Sequence, residues 1–470
     1  MLLLRPALVL LSAAIGSAAA AQTLDPTDSA ALGAAAHQAT SNIVNLYSTQ
    51  LAAGKASQGG FDQSAVSWFA SGIIWSQVFG NSYVTKDHSM DNVAGTAISA
   101  ATYGTTADLL GGALKTVNEK LYGRWNDDMG WWAIGMLSAV DAYGKDALIP
   151  GGGKFLDVAA LTFNEMYEQW DTQCGGGIYW SRDRSPTQKD ADYKSTISNS
   201  QFVEMGARLA MLTANQTYLD MAAQAYNWIK SSGVMTAQWV VTDGVHTASC
   251  GTVNPTALGY NQGVMLSAMA YMYKATKLQS YLDDAKALVN AAVPVYAPNN
   301  IVTEPLCPVG ACGRETPMGK PQFVKGLSDV YTVATDAAVK STIQTVIDTT
   351  LASALKNCDA NWWCSQDWTN VRAPAQSDPY DQYGTTELLV AAARVHGATA
   401  PAGTSAGNLG TAPAGGSSSA ATAPGGSSAP ASTGAAAKKS SAISISTGGA
   451  VSILGSIALG VVAAGLANLV

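Results

Sequence analysis

The chain has 470 residues, with 26 basic against 33 acidic side chains and a formal net charge of −7. Setting aside Arg5, Lys438 and Lys439, which fall in segments read below as a leader and a stalk, leaves 23 basic against 33 acidic residues, or −10 for the body. That acidity argues against nucleic acid or anionic lipid as the main partner and is compatible with a neutral glycan. Four isolated histidines, and no P-loop, dinucleotide fingerprint or nucleophile elbow, give no ground to expect a metal or cofactor.

Residues 1–21 carry one early charge, Arg5, then an apolar run and the small-residue site Ala19-Ala20-Ala21, the pattern of a cleaved signal peptide. Residues 22–398 follow without a Pro/Ser-rich break and are read as one domain. Stretches such as 202–212 and 264–271 are small or apolar on most faces and predict buried helices, whereas 218–230 and 278–291 carry charge on one side and predict outer ones. Starts of apolar segments recur near Trp68, Trp131, Phe202, Gly263, Gly326 and Gly384 at a spacing of roughly 60 to 70 residues. Six units, each with room for an inner helix, an outer helix and loops, predict an all-α (α/α)6 barrel in which the loops before the inner helices share one cleft.

Six cysteines in the body fit export, and of fifteen formal connectivities the preferred one joins Cys307 to Cys312, Cys358 to Cys364 and Cys174 to Cys250. The sequon Asn215-Gln216-Thr217 sits between helical patterns. Residues 399–441 are almost wholly Ala, Gly, Ser, Thr and Pro and read as a stalk holding or adjoining a lipid-attachment site. Residues 442–470 end in an uncharged apolar run, which together with the small residues Ser432, Thr433 and Gly434 predicts a GPI signal removed on maturation. A transmembrane helix is the rival reading of that tail.

The densest chemistry lies in Trp125-Asn126-Asp127-Asp128-Met129-Gly130-Trp131-Trp132, two adjacent carboxylates among three indoles. Glycosidic cleavage by the common route needs two carboxyl groups, about 5 to 5.5 Å apart when configuration is retained and roughly 6.5 to 9.5 Å when it is inverted, and adjacency favours retention. The competing structural reading has Asn126 as an N-cap with Asp127 and Asp128 merely acidic residues of a first turn. Other inner-helix starts add candidates for sugar contact: Tyr179 and Trp180 after the glycine run 175–177, Asn199 in 194–201, Tyr260, Asn261 and Gln262, then Lys325, and Asp381 and Tyr383. For Asn199 and Asn261, helix capping is an equal alternative. The loop carboxylates Asp183, Asp190, Asp192, Asp243 and Asp367 read as turn residues.

With that Trp-Asn-Asp-Asp segment, Gly175-Gly176-Gly177-Ile178-Tyr179-Trp180 and Tyr260-Asn261-Gln262-Gly263 in this order, the chain resembles glycoside hydrolase family 76. The resemblance implies an endo-α-1,6-mannanase on an (α/α)6 barrel, with Asp127 as nucleophile, Asp128 as acid/base and no metal. Leader, stalk and lipid signal look like the fungal cell-wall branch. For that branch the implied donor is an α-mannoside or the GPI-core glycan, the implied acceptor is β-glucan, and the site of action is the outer face of the plasma membrane and the wall. The alternative function is a catalytically silent wall mannoprotein that only binds glycan.

Overall fold

In the computed structural model of the chain, residues 22–103, 108–109, 116–117, 120–121, 123–307, 318–404 and 409 are described. The leader at 1–21, the tail at 442–470 and nearly all of the stalk lie outside them. Twelve α-helices organise the described residues: α1 (Ser29–Ala52), α2 (Trp68–Thr85), α3 (Asp91–Ala101), α4 (Asn126–Tyr143), α5 (Phe155–Tyr167), α6 (Thr196–Thr213), α7 (Gln216–Ser231), α8 (Gly259–Thr276), α9 (Gln279–Tyr296), α10 (Gly319–Val333), α11 (Ala337–Ala354) and α12 (Pro379–His396).

The even-numbered helices pack side by side in the order α2, α4, α6, α8, α10, α12 and back to α2, which closes a ring. Each odd-numbered helix lies outside it against at least one even-numbered neighbour, α1 covering α12 and α2. Burial follows this division. Every residue of α12 from Pro379 to Ala393 is buried, whereas α7 buries Ala222, Ala225, Tyr226, Trp228 and Ile229 along one stripe. All six rhythm positions, from Trp68 to Gly384, fall within the inner helices.

Glycine explains how closely that ring packs. A Cβ on Gly263 of α8 would stand 2.2 Å from the Gln322 carbonyl oxygen of α10, and one on Gly326 would stand 2.2 Å from the Gly263 carbonyl oxygen. Backbone therefore touches backbone where any side chain would part the helices. Gly72 plays the same part between α2 and the ring of Trp132 on α4.

All six inner helices run the same way. The starts of α2, α4, α6, α8 and α10 meet at one face, while later turns converge on a second cluster that includes Asp141, Arg208, Tyr271, Lys325, Asp329, Glu387 and Arg394. Disulfides join Cys174 to Cys250 and Cys358 to Cys364; Cys312 lies outside the described residues. Past His396 the chain stays on the body, with Ala400 N donating to Thr85 O at 2.7 Å and His88 N to Thr404 O at 3.2 Å. No helix among the described residues is long and apolar enough to cross a membrane.

Candidate active site

The shared face of the inner helices opens into a cleft of about 810 Å³. From α2 and the loop before it come Gln63, Ser67, Trp68, Phe69 and Ile73, and from the start of α4 come Arg124, Trp125, Asp127, Asp128 and Trp131. Trp180, Ile197, Leu258, Tyr260, Met318, Gly319 and Gln322 complete the lining. Both aspartates thus face one aromatic-walled space large enough for several sugar rings.

Local backbone pairing sets the α4 start. Trp125 is extended, forms a bridge with Ser181 and is itself the N-cap residue, so Asn126 is already helical. The Asn126 side chain makes no cap; its Nδ2 donates to Tyr179 O at 2.7 Å, and its backbone N donates to Trp180 O at 2.8 Å. The helix start is bolted to the loop between α5 and α6, and Asp127 and Asp128 fall in the first turn, where free N–H groups favour negative charge.

Trp180 stacks on Trp125 with centroids 4.1 Å apart, and its Nε1 donates to Asp127 Oδ1 at 2.7 Å. Burial pushes the Asp127 carboxyl up to about 7; the Trp180 N–H and the backbone N–H groups of Asp127 and Asp128 oppose that rise, and the negative charge of Asp243 adds to it. Tyr260 is raised well above the usual phenol range, first by burial and then by Asp243 and Asp127.

Of the residues singled out in the sequence, Trp125, Asp127, Asp128, Trp131, Trp180 and Tyr260 line the cleft. The others do not. Trp132 is buried beneath it, stacked on Trp68 at 4.8 Å and donating to Trp68 O. Tyr179 is buried and gives its hydroxyl hydrogen to Asp171 at 2.6 Å. Asn199 neither caps α6 nor meets the cleft: its Oδ1 accepts from Ile178 N at 2.8 Å and its Nδ2 donates to Ile178 O at 3.0 Å, while Ser195 caps the helix. Gln262 makes the same two-way bond with Val241, at 3.1 and 2.6 Å.

Asn261 is fully buried in the α8 first turn, where Leu258 holds the N-cap position. Asp381 receives Ala375 N at 2.9 Å and Gln366 N at 3.4 Å, and Tyr383 accepts from Gln322 Nε2 at 2.6 Å. Lys325 belongs to the far cluster, 3.0 Å from Asp329 and 3.7 Å from Glu204, which supplies the pairing that a buried amine requires. The glycine run likewise serves packing: a Cβ on Gly177 would stand 2.5 Å from the Trp228 ring.

Sequence reasoning missed Trp68, Phe69, Arg124 and Gln322 in the cleft wall. Trp68 carried a usable signal, since it anchors the first inner helix and the inner-helix starts were the positions expected to converge. Asp243, set aside as a turn residue, accepts from Tyr260 Oη at 3.2 Å.

A ring of six helical hairpins holding a carboxylate pair at the mouth of an aromatic cleft is the build of a glycoside hydrolase. Residues 31–405 match the family model described as Glycosyl hydrolase family 76, and the chain belongs to that family. It is 29% identical over 310 residues to the mannan endo-1,6-alpha-mannosidase DFG5 of Saccharomyces cerevisiae, the alignment covering 64% of each chain. It is 29% identical over 224 residues to DCW1 of Candida albicans, covering 46% of this chain and 49% of that one. These alignments span less than two thirds of either relative.

Among solved structures, Dfg5 from Chaetomium thermophilum in complex with glucosamine superposes with a TM-score of 0.61 at 24% identity, over 73% of this chain and 84% of that one. An α-1,6-mannanase of Salegentibacter sp. HEL1_6, an inactive variant with two consecutive aspartates replaced by asparagine and α-1,6-mannotriose bound, gives 0.62 at 16% identity, over 77% and 99%. At these identities the likeness is one of fold.

Proposed function

We propose that the protein is a retaining endo-α-1,6-mannosidase or transglycosidase, with Asp127 as nucleophile and Asp128 as acid/base. The observation that carries the reading is that these neighbouring carboxyls both face one cleft walled by Trp68, Trp125, Trp131 and Trp180. Support comes also from the mannan endo-1,6-alpha-mannosidase names of the relatives and from the inactivity of the mannanase lacking two consecutive aspartates.

Asp127 attacks the anomeric carbon as Asp128 protonates the departing glycosidic oxygen; Asp128 then takes a proton from water or a sugar hydroxyl, which displaces Asp127 from the glycosyl-enzyme. Burial works against an ionised Asp127 and three N–H donors work for it. The positive charge gathering at the anomeric carbon supplies the remaining help, and supplies it most in the transition state, where it accelerates the step.

The finer reading is that the donor is the mannose-containing core of a GPI glycan and the acceptor a β-glucan, with the enzyme held by its own GPI anchor at the outer face of the plasma membrane and in the wall. The leader at 1–21 and the small-residue and apolar tail support that location. Incubation of the purified protein with an α-1,6-mannooligosaccharide or a defined GPI glycan, with and without β-glucan oligomers, followed by mass spectrometry, distinguishes hydrolysis, transfer and silent binding. Asp127→Asn and Asp128→Asn are each expected to lower turnover by at least about a thousandfold while melting near the wild type. Full turnover in either would defeat the assignment.

A further inference from the structure

Asp243 stands just before the strand Gly244–His246, the central strand of a three-stranded antiparallel sheet whose edges are Tyr193–Ser195 and Val253–Asn254. Its Oδ2 accepts from Tyr193 Oη at 2.6 Å and Asn254 Nδ2 at 3.3 Å, and its Oδ1 accepts from Tyr260 Oη at 3.2 Å. Its backbone is tied down as well, Thr196 N donating to Asp243 O at 2.7 Å and Asp243 N to Asn254 O at 3.3 Å. One carboxylate is thus fixed by both sheet edges, by the start of α6 and by a residue of α8.

Of these partners, Tyr260 alone lines the cleft. A phenol has a single hydrogen to donate, and here Asp243 takes it, so a sugar hydroxyl that meets the Tyr260 oxygen meets an acceptor. Tyr260 is sensitive to the charge of both Asp243 and Asp127, and Asp243 acts on Asp127 directly as a like charge.

We propose that Asp243 is a positioning residue of the cleft: held by Tyr193 and Asn254, it takes the Tyr260 hydroxyl hydrogen and so fixes an acceptor beside the carboxylate pair. The proposal rests on the reading of Asp127 as nucleophile. The groups that act on the Asp127 carboxyl are the Trp180 N–H, the backbone N–H groups of Asp127 and Asp128, and Asp243 with its donor Tyr193, while Asp128, Arg124 and Tyr260 share the cleft lining with it. Asp243 is the anion among them that comes from another element.

The test is the pH profile of kcat/KM on an α-1,6-mannooligosaccharide, with a thermal melt of each variant. Asp243→Asn keeps the size of the side chain and removes its charge, and is expected to move the acid limb about half a unit to one unit toward lower pH. Tyr260→Phe keeps the ring and the Asp243 charge, and is expected to lower kcat/KM about tenfold with the limb in place. A purely structural Asp243 would lower the melting temperature and leave the limb where it is. Wild-type turnover with an unmoved limb in a folded Asp243→Asn overturns the proposal. Should Asp243→Asn fail to fold, an unchanged kcat/KM in Tyr260→Phe overturns it instead. A wild type that turns over no mannoside removes the underlying reading of Asp127, and this inference with it.

Discussion

Trp180 serves two partners with one indole, its face on Trp125 and its N–H on Asp127. In the nucleophile role proposed for Asp127, a carboxyl raised to about 7 by burial attacks poorly in acid, because the attacking form must be ionised. The kcat/KM of the wild type is therefore expected to climb with pH through about 7. Trp180→Phe retains an aromatic face for Trp125 but withdraws the N–H that favours the anion, so the limb should move to higher pH and kcat/KM near neutrality should fall about tenfold. Steady-state kinetics across the pH range read both effects. A limb that stays put in Trp180→Phe would mean that the hydrogen bond does not govern Asp127. At this scale the sequence was legible in the segment that sets paired carboxylates beside indoles, whose Trp125, Asp127, Asp128 and Trp131 all line the cleft. It was illegible for the single bond from Trp180 to Asp127, which spans 53 residues and depends on where a loop lands.

Among the inner helices a shared device joins helix to loop. Asn199 on α6 and Gln262 on α8 each exchange donor and acceptor with one loop residue, Ile178 and Val241, as a neighbouring strand would. Gln382 on α12 splits the exchange between two loop residues, taking Cys364 N at 3.0 Å and giving to Trp362 O at 3.1 Å. Buried amides at inner-helix starts read as sugar ligands in sequence because donors and acceptors at a cleft mouth look alike whether they face a hydroxyl or a peptide group. Only the path of the loop separates the two, and periodicity does not encode that path. Gln262→Leu leaves both polar groups of buried Val241 without this partner, and is expected to cost about 2 to 4 kcal/mol of stability. KM for the glycan should change little. Denaturant unfolding beside KM measurement checks this, and a raised KM at unchanged stability would return Gln262 to the cleft.

Across the whole ring, the six-unit rhythm was readable because closing a helical barrel demands helices that are small or apolar nearly all round, and backbone contact between them demands glycines such as Gly263 and Gly326. The polar interior at the far end was less readable, since charges on a buried helix make sense only once their partners from four other helices are known. Those charges and the buried carboxyls nearer the cleft set how the molecule responds to acid. Burial raises Glu304 and Glu387 from 4.5 to about 7, and Asp127 from 3.8 to about 7, with Lys320 partly offsetting the first and Lys325 and Arg394 the second. Between those limits the folded chain holds protons that the unfolded chain has released, so stability should fall as pH rises from about 4.5 to 7. Asp329 runs the other way. Burial would raise it, but Lys325, Arg394 and Lys274 outweigh burial and hold it well below 3.8, so its contribution is present above that pH and lost on further acidification. The melting temperature should consequently pass through a maximum on the acid side of neutrality. Melts of the wild type and of Glu387→Gln across that range locate it: the variant, neutral at every pH, should lose less stability than the wild type between about pH 5 and 7, and an equal loss in both would remove Glu387 from the account.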